Sequence, residues 1–174
     1  MNYFKDEILR VCVLIAMLAF WVMIFCVMKA SADEIDTIMP YLIQAESGGD
    51  PNAVSKAGAI GICQVTPIVL DEFNQMNVFG VSGEKIHYDN GYGICVDYVT
   101  LEGLKDPRIN IALSRWYLRR LRNTYKCDTL EKVLAGYNCG PTKLKSVGYD
   151  INKCPAETRA YVKKIMKGYK SASK

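Results

Sequence analysis

The chain has 174 residues, 50% of them hydrophobic, and its 22 basic and 18 acidic side chains leave a formal net charge of +4. A charge this small, with no long block of like charges, does not point to nucleic acid as a partner. His87 is the single histidine and none of the seven cysteines is spaced Cys-x-x-Cys, which argues against a zinc site or a Cys-His nucleophile, so no metal and no cofactor is expected.

Residues 11–28 form an apolar run without a charge, just long enough to cross a bilayer core of about 30 Å as a helix. Lys5 and Arg10 precede it, which points the remainder of the chain outward across the membrane. A signal-peptide apolar core usually spans about 7–15 residues, so this longer run reads as a membrane anchor; Ala30-Ser31-Ala32 offers a signal-peptidase site as the alternative. Two parts follow: 1–32 as anchor or signal segment, and 33–174 as one exported domain with enough chain for a core. Cys12 and Cys26 sit in the apolar run. The odd set Cys63, Cys95, Cys127, Cys139 and Cys154 beyond it suggests up to two disulfides and a spare thiol in an oxidising compartment.

The exported part reads as mainly helical. Ile35, Ile38, Met39, Leu42 and Ile43 give one apolar face, with Asp33 and Asp36 at the positive end of the helix dipole. Pro40 implies a kink, or a helix that starts there. Gly48 and Gly49 stop the helix just beyond Glu46. A carboxyl group held away from water at such an end has its pKa raised toward that of a general acid, the plainer alternative being a solvated residue. The glycine-rich turn Gly58 to Pro67 follows. The stretch Val78 to Thr100, with the β-like run Ile94 to Val99, predicts a small hairpin or a long loop over a cleft. Further helices are expected over about Ile109–Tyr125, with Trp116 as core rather than sugar platform; over Thr129–Asn138, stopped by Gly140-Pro141; and over about Pro155–Lys167. Lys163, Lys164, Lys167, Lys170 and Lys174 read as a solvated face, with anionic wall polymers or lipid head groups as the alternative.

Five blocks stand in a telling order: Glu46-Ser47-Gly48, Gly58 to Gln64, Asp106 to Leu118, Ala135 to Gly140, and Glu157 to Ile165. They resemble the lytic transglycosylase SLT domain blocks ESG, GxxGLMQ, DPxxNIxxGxxYL, AYNAG and ETRxYVxKI, over roughly Ile35 to Tyr169. The resemblance implies a mainly α, goose-type lysozyme-like fold in a protein of the bacterial cell envelope. Its substrate would be peptidoglycan glycan strands, cut between N-acetylmuramic acid and N-acetylglucosamine. Periplasmic action near the inner membrane fits residues 11–28, and small relatives serve secretion, conjugation or pilus machines, or phages.

A glycosidase using water normally needs two carboxylates, about 5–5.5 Å or about 6.5–9.5 Å apart. Only Glu46 has a motif-supported place here, and Asp50, before Pro51, reads as a cap or turn residue. The family's solution, carried over to Glu46, is one acid/base and the muramoyl C6 hydroxyl as nucleophile, leaving a 1,6-anhydro end. By the same match, Ser47 orients Glu46 or its turn, Gln64 offers its amide to sugar or peptide, and Gly61 lets backbone approach the glycan. Tyr137 and Asn138 lie beside the acid, the Tyr137 hydroxyl donating toward Glu46 or substrate, and Glu157 and Tyr161 line the cleft or serve as core and surface groups. Cys63 stands where the family has Met, Cys139 where it has Ala, and Gly136 where it has Ala. Because both motifs meet at the cleft in the family, the resemblance suggests a Cys63–Cys139 bridge; Cys127–Cys154 is another pairing, each of these two lying in a loop before a helix, and the sequence does not choose among the pairings. A water-using hydrolase and a non-catalytic wall-binding protein are the alternatives.

Overall fold

A computed structural model describes residues 34–78, 86–88, 94–96 and 98–172, together with Met17. The apolar segment 11–28 and the Ala30-Ser31-Ala32 site fall outside the described residues, Met17 apart, and no helix among the described residues is long and apolar enough to cross a membrane. The chain divides between Met1–Asp33 and Glu34–Lys174, and the elements below belong to the second part.

Helix α1, Glu34–Glu46, buries Ile35, Ile38, Met39 and Leu42 on one face, with Glu34 and Asp36 in its first turn. Pro40 neither starts nor ends it. The helix runs through Pro40, which lies on the exposed side together with Asp36, so water can serve the Asp36 carbonyl that the proline leaves without a donor. Helix α2, Pro67–Val78, has no counterpart among the sequence expectations. Thr66 caps it through Val69 N–H at 3.4 Å, and Val69, Leu70 and Phe73 turn inward. Strands β1, Ile86–Tyr88, and β2, Ile94–Val96, pair antiparallel with His87 opposite Cys95.

Helix α3, Pro107–Asn123, buries more residues than any other described helix. Asp106 caps it by accepting from Arg108 N–H, Pro107 takes the first turn, and Ala112, Leu113, Trp116, Tyr117, Leu118 and Leu121 form its core face. Trp116 packs edge-on against Phe73, ring centroids 5.1 Å apart, as a core residue. Helix α4, Leu130–Cys139, is capped by Thr129 and ends at Gly140, where Pro141 opens the short helix α5, Pro141–Ser146. Helix α6, Ala156–Ala172, closes the fold.

Helix α4 packs against α3, α5 and α6, and α1 packs against α3 and α6, so the core lies between these long helices. Tyr41 of α1 lies where a Cβ on Gly168 would be, 2.7 Å from its ring, so a glycine there is what lets α1 settle onto α6. Asp36 pairs with Arg115 and Arg119, and Glu34 with Arg122, across the α1–α3 seam. Such exposed pairs add little stability and mainly fix register. This contact of α1 with α6 brings Glu46, at the last turn of one helix, to Tyr161 on the other.

Candidate active site

Glu46 ends α1 because the chain turns at Gly48 and Gly49, with φ of +67° and +95°. Its Oε1 accepts a hydrogen bond from the Tyr161 hydroxyl at 2.5 Å. Burial pushes the Glu46 carboxyl up from 4.5 to about 6, against the opposing effects of the Tyr161 bond and the Lys164 charge. Burial, and then the charge of Glu46, hold the Tyr161 hydroxyl well above the usual phenol range, so that Tyr161 stays a donor. Among the described residues, no second carboxylate figures in the shift of Glu46.

The turn opposite is braced at many points. Ser47 Oγ donates to the Ile62 carbonyl at 2.7 Å and accepts from Gly49 N–H at 3.1 Å, tying the end of α1 to the Gly61-Ile62-Cys63-Gln64 turn. Gln64 N–H donates to the Gly61 carbonyl, closing the turn, and Gln64 itself takes φ +53°, a conformation unusual outside glycine. Its Nε2 donates to the Ala53 and Gly61 carbonyls at 3.1 and 3.0 Å, so the amide hydrogens serve the turn and its carbonyl is the part a ligand can use. Gly61, at φ +82°, has Asn110 Nδ2 and the Leu104 carbonyl crowding the place where a Cβ would stand. The close approach it permits is therefore to this protein's own Asn110, where the sequence reading expected the glycan.

Asn110 is the residue sequence reasoning passed over. Fully buried on α3, it donates to the carbonyls of Ile60 and Leu104, both at 2.8 Å, and accepts from Cys63 N–H at 2.9 Å. The available signal was a polar residue in the apolar run Ile109 to Leu113, where burial demands that each amide group be satisfied.

From α4, Tyr137 sends its hydroxyl to the Cys63 carbonyl at 2.8 Å and lies 3.1 Å from Ser114 Oγ. The tyrosine hydroxyl that reaches Glu46 is thus that of Tyr161, and Tyr137 instead holds the turn. Asn138 accepts from Thr158 Oγ1 at 2.7 Å, joining α4 to α6. Glu157 is exposed in the first turn of α6, one turn before Tyr161 and on the same helical face. Asp50 is an exposed turn residue whose Oδ1 accepts from Asn52 N–H at 2.8 Å. Lys163, Lys164, Lys167 and Lys170 are exposed along α6.

Gln64, Tyr137, Asn138 and Cys139 line a cleft of about 430 Å³, together with Ile68 and Glu72 of α2. Glu46 is not itself in that lining, but its charge bears on both Tyr137 and Cys63. Glu72 is a second unforeseen residue, accepting from the Tyr125 hydroxyl at 2.6 Å and paired with Arg120. Committed to those two partners, it buttresses the far wall of the cleft.

Cys63, Cys127, Cys139 and Cys154 are all thiols, so neither Cys63–Cys139 nor Cys127–Cys154 is bridged. Cys63 is wholly buried in the turn and its thiol is pushed up to about 12, chiefly by burial, which leaves it a small apolar side chain rather than a nucleophile. Cys139 stands in the surroundings of both Cys154 and Cys127. No cluster of histidine, cysteine or carboxylate side chains suited to a metal occurs among the described residues.

Two solved structures share this arrangement of helices. The 70 kDa soluble lytic transglycosylase of Escherichia coli is 21% identical, matches over 75% of this chain and 20% of its own, and gives a TM-score of 0.51. An inactive mutant of the lytic transglycosylase Slt of Pseudomonas aeruginosa is also 21% identical, over 77% of this chain and 20% of its own, with a TM-score of 0.60. The chain thus spans about a fifth of the length of either, and its described domain has the α-helical lytic transglycosylase fold. No curated protein sequence matches the chain. The model of the transglycosylase SLT domain matches residues 27–153, and the chain belongs to that family.

Proposed function

We propose that the chain is an exported peptidoglycan lytic transglycosylase that cleaves the β-1,4 bond between N-acetylmuramic acid and N-acetylglucosamine, with Glu46 as its single acid and base. The observation that carries this reading is the Glu46 carboxyl itself, dry enough to keep its proton up to about pH 6, held by one tyrosine and perturbed by no other carboxylate among the described residues.

Glu46 protonates the glycosidic oxygen as the bond to C1 breaks. Once ionised, it is stabilised by the Tyr161 hydroxyl and by Lys164, and takes the proton of the muramoyl C6 hydroxyl as that oxygen closes onto C1. The products are a 1,6-anhydromuramoyl end and a strand with a free C4 hydroxyl, and no water is consumed. An intramolecular alcohol has the advantage of a high effective concentration over free water. In this reading Ser47, Asn110 and Tyr137 hold the turn that faces the acid. Gln64 and Asn138 contact the glycan, Gly61 gives the turn its shape, and Glu157 and Tyr161 form the α6 side of the site. The segment 11–28 anchors the enzyme, or directs its export, in the bacterial envelope; the protein partners are a secretion, conjugation or pilus apparatus, or a phage.

Mass spectrometry of digested murein sacculi tests the proposal. Anhydro-muropeptides from the wild-type chain, and none from Glu46→Gln, are expected. Reducing ends would assign a hydrolase, and intact strands would mark a wall-binding protein without turnover.

A further inference from the structure

Cys139 and Cys154 take no part in the chemistry above, yet the fold brings them together. Cys139 is the last residue of α4, half-buried at the cleft wall, and Cys154 is 4% exposed, just after the 3-10 turn Ile151–Lys153 and just before α6. The intervening chain doubles back through α5. Tyr149 N–H donates to the Leu144 carbonyl at 3.0 Å, and Cys154 N–H to the Ile151 carbonyl at 3.0 Å. The turn Ile151–Lys153 packs on α4, which places Cys139 in the surroundings of the Cys154 thiol, as it also stands in those of Cys127. Asn138 and Thr158, joined at 2.7 Å, fasten the same two segments next to the thiols.

We propose that Cys139 and Cys154 are a disulfide-forming pair, cross-linking the end of α4 to the entry of α6. The reaction needs a disulfide oxidant, a protein or small-molecule disulfide. The Cys139 thiolate, on the more accessible side, attacks one sulfur of the oxidant, displaces its partner as a thiol, and forms a mixed disulfide. The Cys154 thiolate then attacks Cys139 Sγ and releases the second thiol. The oxidant has taken two electrons, and the protons lost by the two cysteines are carried on its two thiols. The bond fixes the cleft wall that Tyr137, Asn138 and Cys139 form, and it closes only a short loop, so little of the fold must move. The pairing stands independently of the reaction proposed for Glu46.

The test uses the full chain equilibrated with oxidised or reduced glutathione, alkylated, digested and mapped by mass spectrometry, with thermal unfolding of both forms. A peptide linked through Cys139 and Cys154 is expected in the oxidised sample, with a Tm about 10 °C above the reduced one. That increment should vanish in Cys139→Ser and persist in Cys127→Ser. The proposal is overturned if both thiols are alkylated after oxidation, if either is linked to Cys63 or Cys127, or if the increment survives in Cys139→Ser. The peptide map of the wild-type chain decides the matter even where a variant fails to fold.

Discussion

Replacing Glu46 by Gln should stabilise the protein, and only at the higher pH. In the folded state burial lifts the carboxyl from 4.5 to about 6, so folding favours its protonated form. The stability conferred by that proton is fully present below the unfolded-state value and is lost as pH rises through the folded one. A shift of this size corresponds to about 2 kcal/mol, the cost of holding an ionised Glu46 in its dry site above about pH 6. The neutral amide introduced by Glu46→Gln would carry no such cost. Urea unfolding of both proteins from about pH 4 to about pH 7.5 should give similar stabilities at the acid end and a Gln variant ahead by about 2 kcal/mol at the other. In thermal scans this corresponds to a gain of about 6 °C. The difference between the proteins isolates Glu46, since every other titrating group is common to both. An offset that stays flat across the range would mean that Glu46 is as well hydrated folded as unfolded, and the case for a dry acid would fail.

Other outcomes follow from the same contacts. Tyr161→Phe removes the donor that lowers the Glu46 pKa, so the alkaline limb of the pH–activity profile should move to higher pH, while stability falls by about 1 kcal/mol; an unmoved limb would separate Tyr161 from the acid. Asn110→Ala leaves the Cys63 N–H and the Leu104 carbonyl unsatisfied in the core, while the Ile60 carbonyl keeps its bond from Val65 N–H, and should cost about 3 kcal/mol in denaturant unfolding; a cost below about 1 kcal/mol would show that the turn does not depend on it. Asp50→Asn should leave turnover within about twofold, whereas a collapse in rate would make Asp50 the second carboxylate of a hydrolase.

Much of the helical frame was legible in the chain because local signals set it. The helices expected over about Ile109–Tyr125 and over Thr129–Asn138 stand at Pro107–Asn123 and Leu130–Cys139, within two residues at each end; Gly140-Pro141 was the stop expected, while the capping roles of Asp106 and Thr129 come from the structure. The Thr66-Pro67 start of α2 is a signal of the same kind, hidden because those residues also close the glycine-rich turn. What the sequence could not supply is distance. Tyr137 was expected beside Glu46 and Tyr161 only along the cleft, and it is the packing of α1 on α6 that brings Tyr161 to Glu46 while Tyr137 turns to the Cys63 carbonyl. The role of Gly61 likewise depends on a neighbour distant in the chain, Asn110, and the cysteine contacts depend on how the chain doubles back between Gly140 and Cys154.

The central claim is that the substrate's own hydroxyl, and not water, receives the muramoyl C1. Digestion of sacculi in heavy-oxygen water measures this directly, since hydrolysis must place solvent oxygen at that carbon. Released muramoyl ends with no heavy oxygen, each lighter than the reducing sugar by one water, are the expected result. Heavy oxygen in the primary product would contradict it.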